Sequence, residues 1–272
     1  MHCKFSRTAA LILMALLPAA ALAQQPKAAR DYAGFDRNDY PGDAALPALH
    51  ETFAFAGYWL NAPPGETAST WTGHREALLR TGFGFAVLFN GRLERELQHN
   101  AAALGTKDGL AAAKAAQREG FRPGTIIFLD MEEGGRMLPV QSAYVFAWAE
   151  AVRKARLRPG VYCSGQPVDE GHGVTITTAE DIRAHAPFPI ALWVAQDACP
   201  PAPGCTVHAP ALSLSGTADA VMLQYAQSPR RNAITHACAS TYAANGNCYA
   251  AATPKLHIDL NVASTADPSD GR

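Results

Sequence analysis

The sequence FRPGTI at residues 121–126 recurs 36 residues later as LRPGVY at residues 157–162. In both copies proline stops a helix, glycine makes a turn, and a β-branched residue begins an apolar run. Each copy therefore predicts a junction from helix to strand. Helices and strands that alternate through such short connections predict parallel strands joined by right-handed crossovers.

Apolar runs of strand length occur on both sides of these junctions, with turn signals between them. Their continuous β-branched and aromatic content is typical of parallel strands that are buried on both faces. Eight strands in a chain of this length favour a closed barrel over an open sheet. The predicted strands are Tyr32–Asp36, Thr52–Leu60, Gly84–Asn90, Thr125–Glu132, Gly160–Ser164, Pro189–Gln196, Ala220–Gln227 and Leu256–Val262.

Helical patterns separate several of the strands, but the later units lack them. Apolar residues recur every fourth position in one pattern, and an Ala-rich composition marks another. We therefore predict an α/β fold, an irregular TIM-type (β/α) barrel of about eight strands with an incomplete ring of helices. The predicted helices are Thr72 to about Thr81, Lys107–Glu119, Pro139–Arg156, and a shorter one that begins with the capping box Thr178-Ala-Glu-Asp181.

The N-terminus has the layout of a secretory signal peptide. Lys4 and Arg7 precede an apolar run, and Ala21-Leu-Ala23 is a small-x-small cleavage site. The predicted organisation is a signal peptide over residues 1–23, a short segment over 24–31, a barrel over 32–263 and a tail over 264–272. We therefore expect a secreted or periplasmic protein.

The charge of the mature chain excludes some partners. Removal of residues 1–23 leaves 21 basic and 24 acidic residues, a net charge of about −3. Such a balance does not indicate binding to nucleic acid or to an anionic membrane. No later stretch is long and apolar enough to span a membrane. We expect a monomer without a cofactor.

Four cysteines flank two short loops, Cys199 with Cys205 and Cys238 with Cys248. Both pairs are interpreted as local disulfides of an oxidising compartment, and zinc binding is the alternative. Zinc is not supported by a Cys-x-x-Cys motif or by a neighbouring histidine pair. Cys163 falls in a predicted strand and is expected to be a buried, unreactive thiol. We expect no catalytic metal.

The predicted fourth strand ends in carboxylates, in the sequence IIFLDMEEGG at residues 126–135. Strand alternation places Asp130 and Glu132 on one face, about 7 Å apart by Cα spacing. In a barrel the carboxyl ends of the strands carry the active site. Two partly buried carboxyls so close cannot both ionise cheaply, so Glu132 is predicted as the general acid and Asp130 as its charged partner. An ordinary solvated acidic loop is the competing interpretation.

Other acids, amides and aromatic residues fall at similar strand-end positions. Each alone could be a cap, a turn former or a hydrogen-bonded core residue. Together they predict a ring at one barrel mouth that suits a sugar, because sugars need aromatic faces and planar hydrogen-bonding groups. The residues are Asp36, Asn90, Trp193, Gln196, Gln224, Tyr225, Asp259 and Asn261.

Four short motifs occur in order along the chain, namely Gly34-Phe-Asp36, Leu129-Asp-Met-Glu132, Leu223-Gln-Tyr225 and Ile258-Asp-Leu-Asn261. This ordered set resembles glycoside hydrolase family 25, the barrel-fold lysozymes, over roughly residues 32–263. The first motif, followed by Phe55-Ala-Gly-Tyr58, resembles still more a related family of bacterial glycoside-hydrolase-like domains of unknown function, and Tyr58 is therefore added to the expected substrate contacts.

The resemblance implies a retaining lysozyme-like enzyme that cleaves an N-acetylhexosamine polymer such as peptidoglycan. Glu132 would be the catalytic acid, Asp130 its partner, and Asp36 and Asp259 would line the cleft. The substrate's own N-acetyl group would be the nucleophile. The chain departs from the family at Asn90, where an aromatic residue is usual.

Two other departures affect the predicted cleft, namely an insert over residues 166–177 and the loop between Cys199 and Cys205. Both would reshape the cleft and so put the specificity, more than the fold, in question. Two alternatives therefore stay open. One is a non-catalytic glycan-binding or cell-envelope barrel, and the other is a hydrolase of a different polysaccharide.

Overall fold

The structure is a computed structural model that describes residues 31–196, 210–227 and 258–272. The strands in these ranges are β1 (Tyr32–Asp36), β2 (Phe55–Trp59), β3 (Gly84–Asn90), β4 (Ile126–Met131), β5 (Arg158–Ser164), β6 (Val168–Gly171), β7 (Val174–Ile176), β8 (Ala191–Ala195), β9 (Ala220–Ala226) and β10 (Asp259–Ala263). Eight of them close a barrel in the order β1–β10–β9–β8–β5–β4–β3–β2, while β6 and β7 pair as a separate hairpin. The predicted eight-stranded barrel is confirmed.

Helices follow the first five barrel strands. In the described part of the chain, a 3₁₀ turn at Leu212–Ser215 is the only helical element between β8 and β9. The ring of helices is therefore incomplete over these residues, as predicted. The helices are α1 (Leu46–His50), α2 (Arg75–Thr81), α3 (Ala101–Arg118), α4 (Pro139–Lys154) and α5 (Thr178–His185).

Helix α3 begins at Ala101, six residues earlier than the alanine-rich pattern predicted. The added turns include Gly105, where a Cβ atom would lie 2.2 Å from the carbonyl oxygen of Tyr144 in α4. Gly109 makes a similar close approach to Trp148. The two glycines lower helix propensity, but they let α3 and α4 pack backbone to backbone.

Two predicted helix starts differ from the structure. Thr72 does not cap α2, which begins at Arg75 after His74 and has no side-chain cap. In α5 the N-cap is Thr177, whose side chain accepts from Glu180 N, so the predicted capping box lies one residue earlier than expected. The next residue, Thr178, donates its hydroxyl to the loop that follows β4 instead.

Strand β10 corrects the prediction that all barrel strands are parallel. It pairs antiparallel with both neighbours, β1 and β9. In these pairs Asp259 lies opposite Asp36 of β1, and Asn261 lies opposite Gln224 of β9. The start of β10 therefore lies at the same barrel end as the carboxyl ends of the parallel strands. A buried apolar strand has the same composition in either direction, so the sequence carried no signal of this reversal.

The residues after β10 close the other end of the barrel between β3 and β4. Ser269 is fully buried, and its carbonyl accepts from Ile126 N at 2.8 Å while its own N–H donates to Phe85 O at 2.9 Å. Its hydroxyl accepts from Val87 N at 2.8 Å. Part of the segment that was predicted as a tail thus supplies hydrogen bonds that the two strands do not make to each other there.

Several sequence predictions lie outside the described residues. These are the signal peptide over residues 1–23 and the proposed disulfides of Cys199, Cys205, Cys238 and Cys248. Cys163 is described and is fully buried in β5, where burial raises its thiol pKa to about 12. None of the helices in the described ranges has the length and apolarity that crossing a membrane requires.

Candidate active site

Asp130 and Glu132 lie at the carboxyl end of β4 and line the same cleft at the barrel mouth. Asp130 is only 6% exposed, whereas Glu132 follows the strand and is exposed at the rim. Below them Phe128 packs edge-on against Trp193, with ring centroids 5.6 Å apart. The alternation predicted for β4 therefore brings the two carboxyls to one opening at different depths.

The cleft encloses about 50 Å³ and is lined by residues on or next to all eight strands of the barrel. Of the residues predicted from the sequence, it brings together Asp36, Trp193, Gln224 and Asp259 with the pair on β4. Its full lining is Asp36, Asn38, Trp59, Pro64, Leu88, Asp130, Glu132, Tyr162, Trp193, Gln224, Gln227 and Asp259.

Asp36 is the centre of a buried hydrogen-bond network. Its Oδ2 accepts from Asn261 Nδ2 at 2.6 Å and from Gln224 Nε2 at 3.1 Å. Both amides are fixed in orientation, because Asn261 Oδ1 accepts from Trp193 Nε1 at 3.0 Å and Gln224 Oε1 accepts from Tyr162 Oη at 2.8 Å. Burial raises the pKa of Asp36 to about 6, although the two amide donors favour its charged form.

Asp130 has a different environment from Asp36. Its Oδ1 is buried and has no hydrogen-bond partner among the described residues. Burial, followed by the nearby charges of Glu132, Asp36 and Glu133, raises the pKa of Asp130 well above its ordinary value. Burial and then the charge of Glu133 also raise the pKa of Glu132. The raised pKa of Glu132 agrees with its predicted role as the acid, whereas Asp130, predicted as the charged partner, also has a raised pKa.

Tyr58 does not reach the cleft, so the sequence-based placement of this residue was wrong. It is fully buried on the outer side of β2, donates its hydroxyl to Glu119, and packs against Phe121 with ring centroids 5.3 Å apart. Alternation along β2 instead turns the next residue, Trp59, toward the mouth. The family motif Phe55-Ala-Gly-Tyr58 suggested Tyr58 as a substrate contact, whereas the alternation of side chains along β2 favours Trp59.

Four other predicted contacts also lie off the cleft lining. Asn90 Nδ2 donates to the carbonyl of Ala62 at 3.0 Å and so holds the loop after β2. Gln196, half-buried, directs Nε2 to the carbonyl of Gly165 at 3.5 Å. Tyr225 is buried and lies on the side of β9 that alternation turns away from the mouth. Asn261 acts below the cleft, through Asp36.

Tyr162 is the most informative residue that the sequence analysis missed. It lies in β5 directly between Asp130 on β4 and Trp193 on β8 in the strand register. Its hydroxyl donates to Gln224 and accepts from Gln227 Nε2 at 3.2 Å. The signal that could have identified it is its position two residues before the end of a predicted strand. The other missed lining residues are Asn38, Trp59, Pro64, Leu88 and Gln227.

The loop that carries Glu132 is held from two sides. Thr178 Oγ1 at the start of α5 donates to the carbonyls of Glu133 (3.2 Å) and Gly135 (2.8 Å). Arg136 forms a two-bond ion pair with Glu170 of the β6–β7 hairpin, at 2.8 and 2.7 Å. The insert over residues 166–177 therefore braces the loop after β4, and its residues are not among those that line the cleft.

Within residues 31–196, 210–227 and 258–272, no three His, Cys, Asp or Glu side chains are arranged to hold a metal ion.

Comparison with known proteins places the chain among barrel-fold, glycoside hydrolase-like proteins. A family model described as "Rv2525c-like, glycoside hydrolase-like domain" matches residues 64–246, and the chain belongs to this family. This match confirms the resemblance to such domains. Asp36 and Asp259 lie outside the matched range, although the barrel brings both into the cleft. A search of curated proteins finds no match to the chain.

Solved structures share the fold at low sequence identity. An uncharacterized protein of B. stearothermophilus is 19% identical, with a TM-score of 0.53 over 85% of this chain and 95% of that one. The Mycobacterium tuberculosis Tat-secreted protein Rv2525c, solved with L-tartrate, is 11% identical, with a TM-score of 0.52 over 86% and 95%. The Clostridium perfringens spore cortex lytic enzyme SleM is 12% identical, with a TM-score of 0.50 over 89% and 70%.

Proposed function

We propose that the protein is a secreted or periplasmic glycoside hydrolase that cleaves an N-acetylhexosamine polymer such as peptidoglycan. The observation that carries this proposal is the pair formed by a buried Asp130 and a rim-exposed Glu132 in one cleft of a glycoside hydrolase-like barrel. Glu132 protonates the leaving oxygen. It suits this role because its pKa is raised and because its position at the rim can be reached by an extended glycan.

Asp130 has the role of orienting the substrate's acetamido group. Its buried Oδ1 is free to accept the amide N–H of that group, and this contact directs the acetyl oxygen toward the anomeric carbon. The nucleophile then comes from the substrate, so the protein needs no second carboxylate at nucleophile distance. Asp36 and Asp259 face the same cleft and contact sugar hydroxyls.

Two further observations support the compartment and the polymer. The N-terminal sequence has the pattern of a signal peptide, and one structural relative is described as Tat-secreted. Another relative is described as a spore cortex lytic enzyme, which is consistent with a cell-wall glycan as the substrate. At these identities the relatives share the fold, so the proposal for this chain depends on the cleft itself.

The test is the substitution Glu132→Gln, assayed by the release of reducing ends from purified peptidoglycan. We expect activity to be lost while the free energy of unfolding changes by no more than about 1–2 kcal/mol, since Glu132 lies outside the packed core. Glu51→Gln, which removes an exposed carboxylate just after α1, is the matched control and should retain activity. Unchanged activity in Glu132→Gln would contradict the proposal.

A second candidate is a glycan-binding barrel without turnover, because the polar and aromatic side chains that line the cleft suit a sugar whether or not it is cleaved. A pulldown with purified peptidoglycan, combined with the reducing-end assay, separates the two functions. Binding without sugar release would support the second. Parallel assays on chitin oligomers and neutral glucans would identify a hydrolase of another polysaccharide.

A further inference from the structure

A two-bond ion pair joins the loop between β3 and α3 to helix α3, outside the cleft. Arg92 donates Nε to Asp108 Oδ2 at 2.5 Å and Nη2 to Asp108 Oδ1 at 3.0 Å. Tyr144 of α4 also donates its hydroxyl to Asp108 Oδ2, at 3.0 Å. Neither Arg92 nor Asp108 is among the residues that line the cleft. The ion pair therefore fixes the β3–α3 loop to two helices of the outer ring.

The packing of these helices does not require a carboxylate at this position. Asp108 is 8% exposed and lies in α3 between Gly105 and Gly109, where the helix meets the backbone of α4. A buried ion pair can often be replaced by apolar residues of similar volume without loss of stability. Stability alone therefore does not explain the pair. What the pair determines is the position of the β3–α3 loop, because Arg92 belongs to no helix.

The β3–α3 loop contacts the chain on both sides of Glu132. Before Glu132, Gly91 lies against the backbone of β4, since a Cβ atom at Gly91 would be 2.5 Å from the carbonyl oxygen of Asp130. After Glu132, the backbone N–H of Glu94 donates to Glu133 Oε1 at 3.2 Å. The ion pair lies between these two contacts in the sequence, so it can hold both of them in place.

We propose that Asp108 and Arg92 are positioning residues for Glu132, and that their ion pair keeps this carboxyl at the reacting bond by holding the β3–α3 loop against the loop after β4. The inference rests on the proposed function in one respect, which is that Glu132 is the acid. It goes further because it assigns a role in the reaction to two residues that do not contact the substrate.

The position of Glu132 depends on its backbone neighbours. Its side chain is exposed, so packing around the carboxyl does not fix it. A general acid must lie within hydrogen-bond distance of the oxygen that it protonates, and a displacement of about 1 Å can lower the rate about 100-fold. Contacts that hold the chain before and after Glu132 therefore affect the rate without affecting the substrate contacts.

The same contacts determine the charges around Glu132. The bond from Glu94 N holds the carboxylate of Glu133 in place, and the charge of Glu133, after burial, raises the pKa of Glu132. Release of the β3–α3 loop would let Glu133 move away and water approach. The other acidic groups that line the cleft with Glu132 are Asp36, Asp130 and Asp259.

The experiment compares the wild-type protein with Asp108→Asn, which removes the charge at constant size. The variant should fold, because its amide oxygen still accepts from Tyr144. On peptidoglycan we expect kcat per folded molecule to fall about tenfold while KM changes less than about twofold, since the lost interaction acts on proton transfer and not on substrate binding. An unchanged kcat in the folded variant of an active protein would overturn the inference.

Two NMR measurements report on the loop itself and need no turnover. The amide of Glu94 should exchange with solvent faster in Asp108→Asn, because its bond to Glu133 is weakened. The pKa of the Glu132 carboxyl should fall toward its ordinary value, because the carboxyl becomes more hydrated and the Glu133 charge is no longer held near it. Unchanged Glu94 exchange together with an unchanged Glu132 pKa would also overturn the inference.

Two further variants locate the effect. Arg92→Gln breaks the same ion pair from the loop side and should give the same changes. Glu150→Gln is the matched control, because it breaks a two-bond pair with Arg153 on the outer surface of α4, at 2.8 and 3.0 Å. The control should leave kcat and both NMR measurements unchanged. Equal changes in Glu150→Gln and Asp108→Asn would refute a specific role for the Asp108 pair.

The outcomes of this experiment and of the peptidoglycan assay can be told apart. A wild-type protein that releases no reducing ends refutes the proposed hydrolase, while the two NMR measurements still decide whether the ion pair positions Glu132. A protein that hydrolyses peptidoglycan through Glu132 but is unaffected by Asp108→Asn refutes only this inference.

Discussion

Asn261 donates its side-chain amide to Asp36 at 2.6 Å, across antiparallel strands that are separated by 225 residues of sequence. Trp193 fixes the orientation of this amide by donating to its oxygen. The charged form of Asp36 at the base of the cleft thus depends on a hydrogen bond from the last strand of the barrel. The network is an arrangement that can be tested residue by residue.

Asn261→Ala should raise the pKa of Asp36 above its value of about 6, because the variant loses the first of two donors that favour the carboxylate. The acid limb of the kcat/KM profile should move to higher pH if the charged form of Asp36 is needed. Carboxyl-carbon NMR measures the pKa directly. Asn38→Ala removes an exposed amide of the same cleft that does not contact Asp36, and there the pKa should not change. An unshifted Asp36 in Asn261→Ala would show that the hydrogen bond has little effect.

Stability should fall as pH rises through the titration of Asp36. The carboxyl titrates near 3.8 when unfolded and near 6 when folded, so the folded state binds more protons between these values. By linkage, Asp36 contributes most to the free energy of unfolding below pH 3.8. This contribution, about 3 kcal/mol, is lost as the pH rises through 6. Asp36→Asn should lack this part of the decrease. Denaturant unfolding of both proteins at pH 4 and pH 7 measures it, and equal pH dependence would contradict the prediction.

Two Tyr→Phe substitutions should have opposite effects. Tyr162→Phe removes the hydroxyl that fixes Gln224, so activity should fall several-fold with a small change in stability. Tyr58→Phe removes a hydroxyl that bonds Glu119 outside the cleft, so activity should be retained and stability should fall by about 1–2 kcal/mol. Reducing-end assays and denaturant unfolding compare the two. If Tyr58→Phe is fully folded but inactive, Tyr58 would again be a candidate substrate contact.

Alkylation should distinguish the buried thiol from the predicted disulfides. Cys163 is fully buried with a pKa of about 12, so it should not react in the native protein. In a protein prepared without residues 1–23, denaturation without reductant should add one label if the other four cysteines form disulfides. Denaturation with reductant should add five. Five labels without reductant would refute both disulfides, and mass spectrometry of the peptides would identify each site.

The sequence could predict what depends on local periodicity. The bounds of β1 and β3 were predicted to the residue, and alternation along β4 brought Asp130 and Glu132 to one opening. The direction of β10 could not be predicted, because strand composition does not encode direction. Tyr162 was missed because its role comes from neighbours on β4, β8 and β9, which meet it only in the closed barrel.

Strand β10 also determines the order in which the molecule can fold. Until residues 259–263 pair with β1 and β9, both of those strands have an open edge that can pair with another chain. The contacts that remove the edge of β1 join residues more than 200 positions apart, and such long-range closure slows folding. During synthesis, which begins at the N-terminus, the chain therefore remains prone to aggregation until almost all of it has been made. Until then it also lacks the hydrogen bond from Asn261 to Asp36.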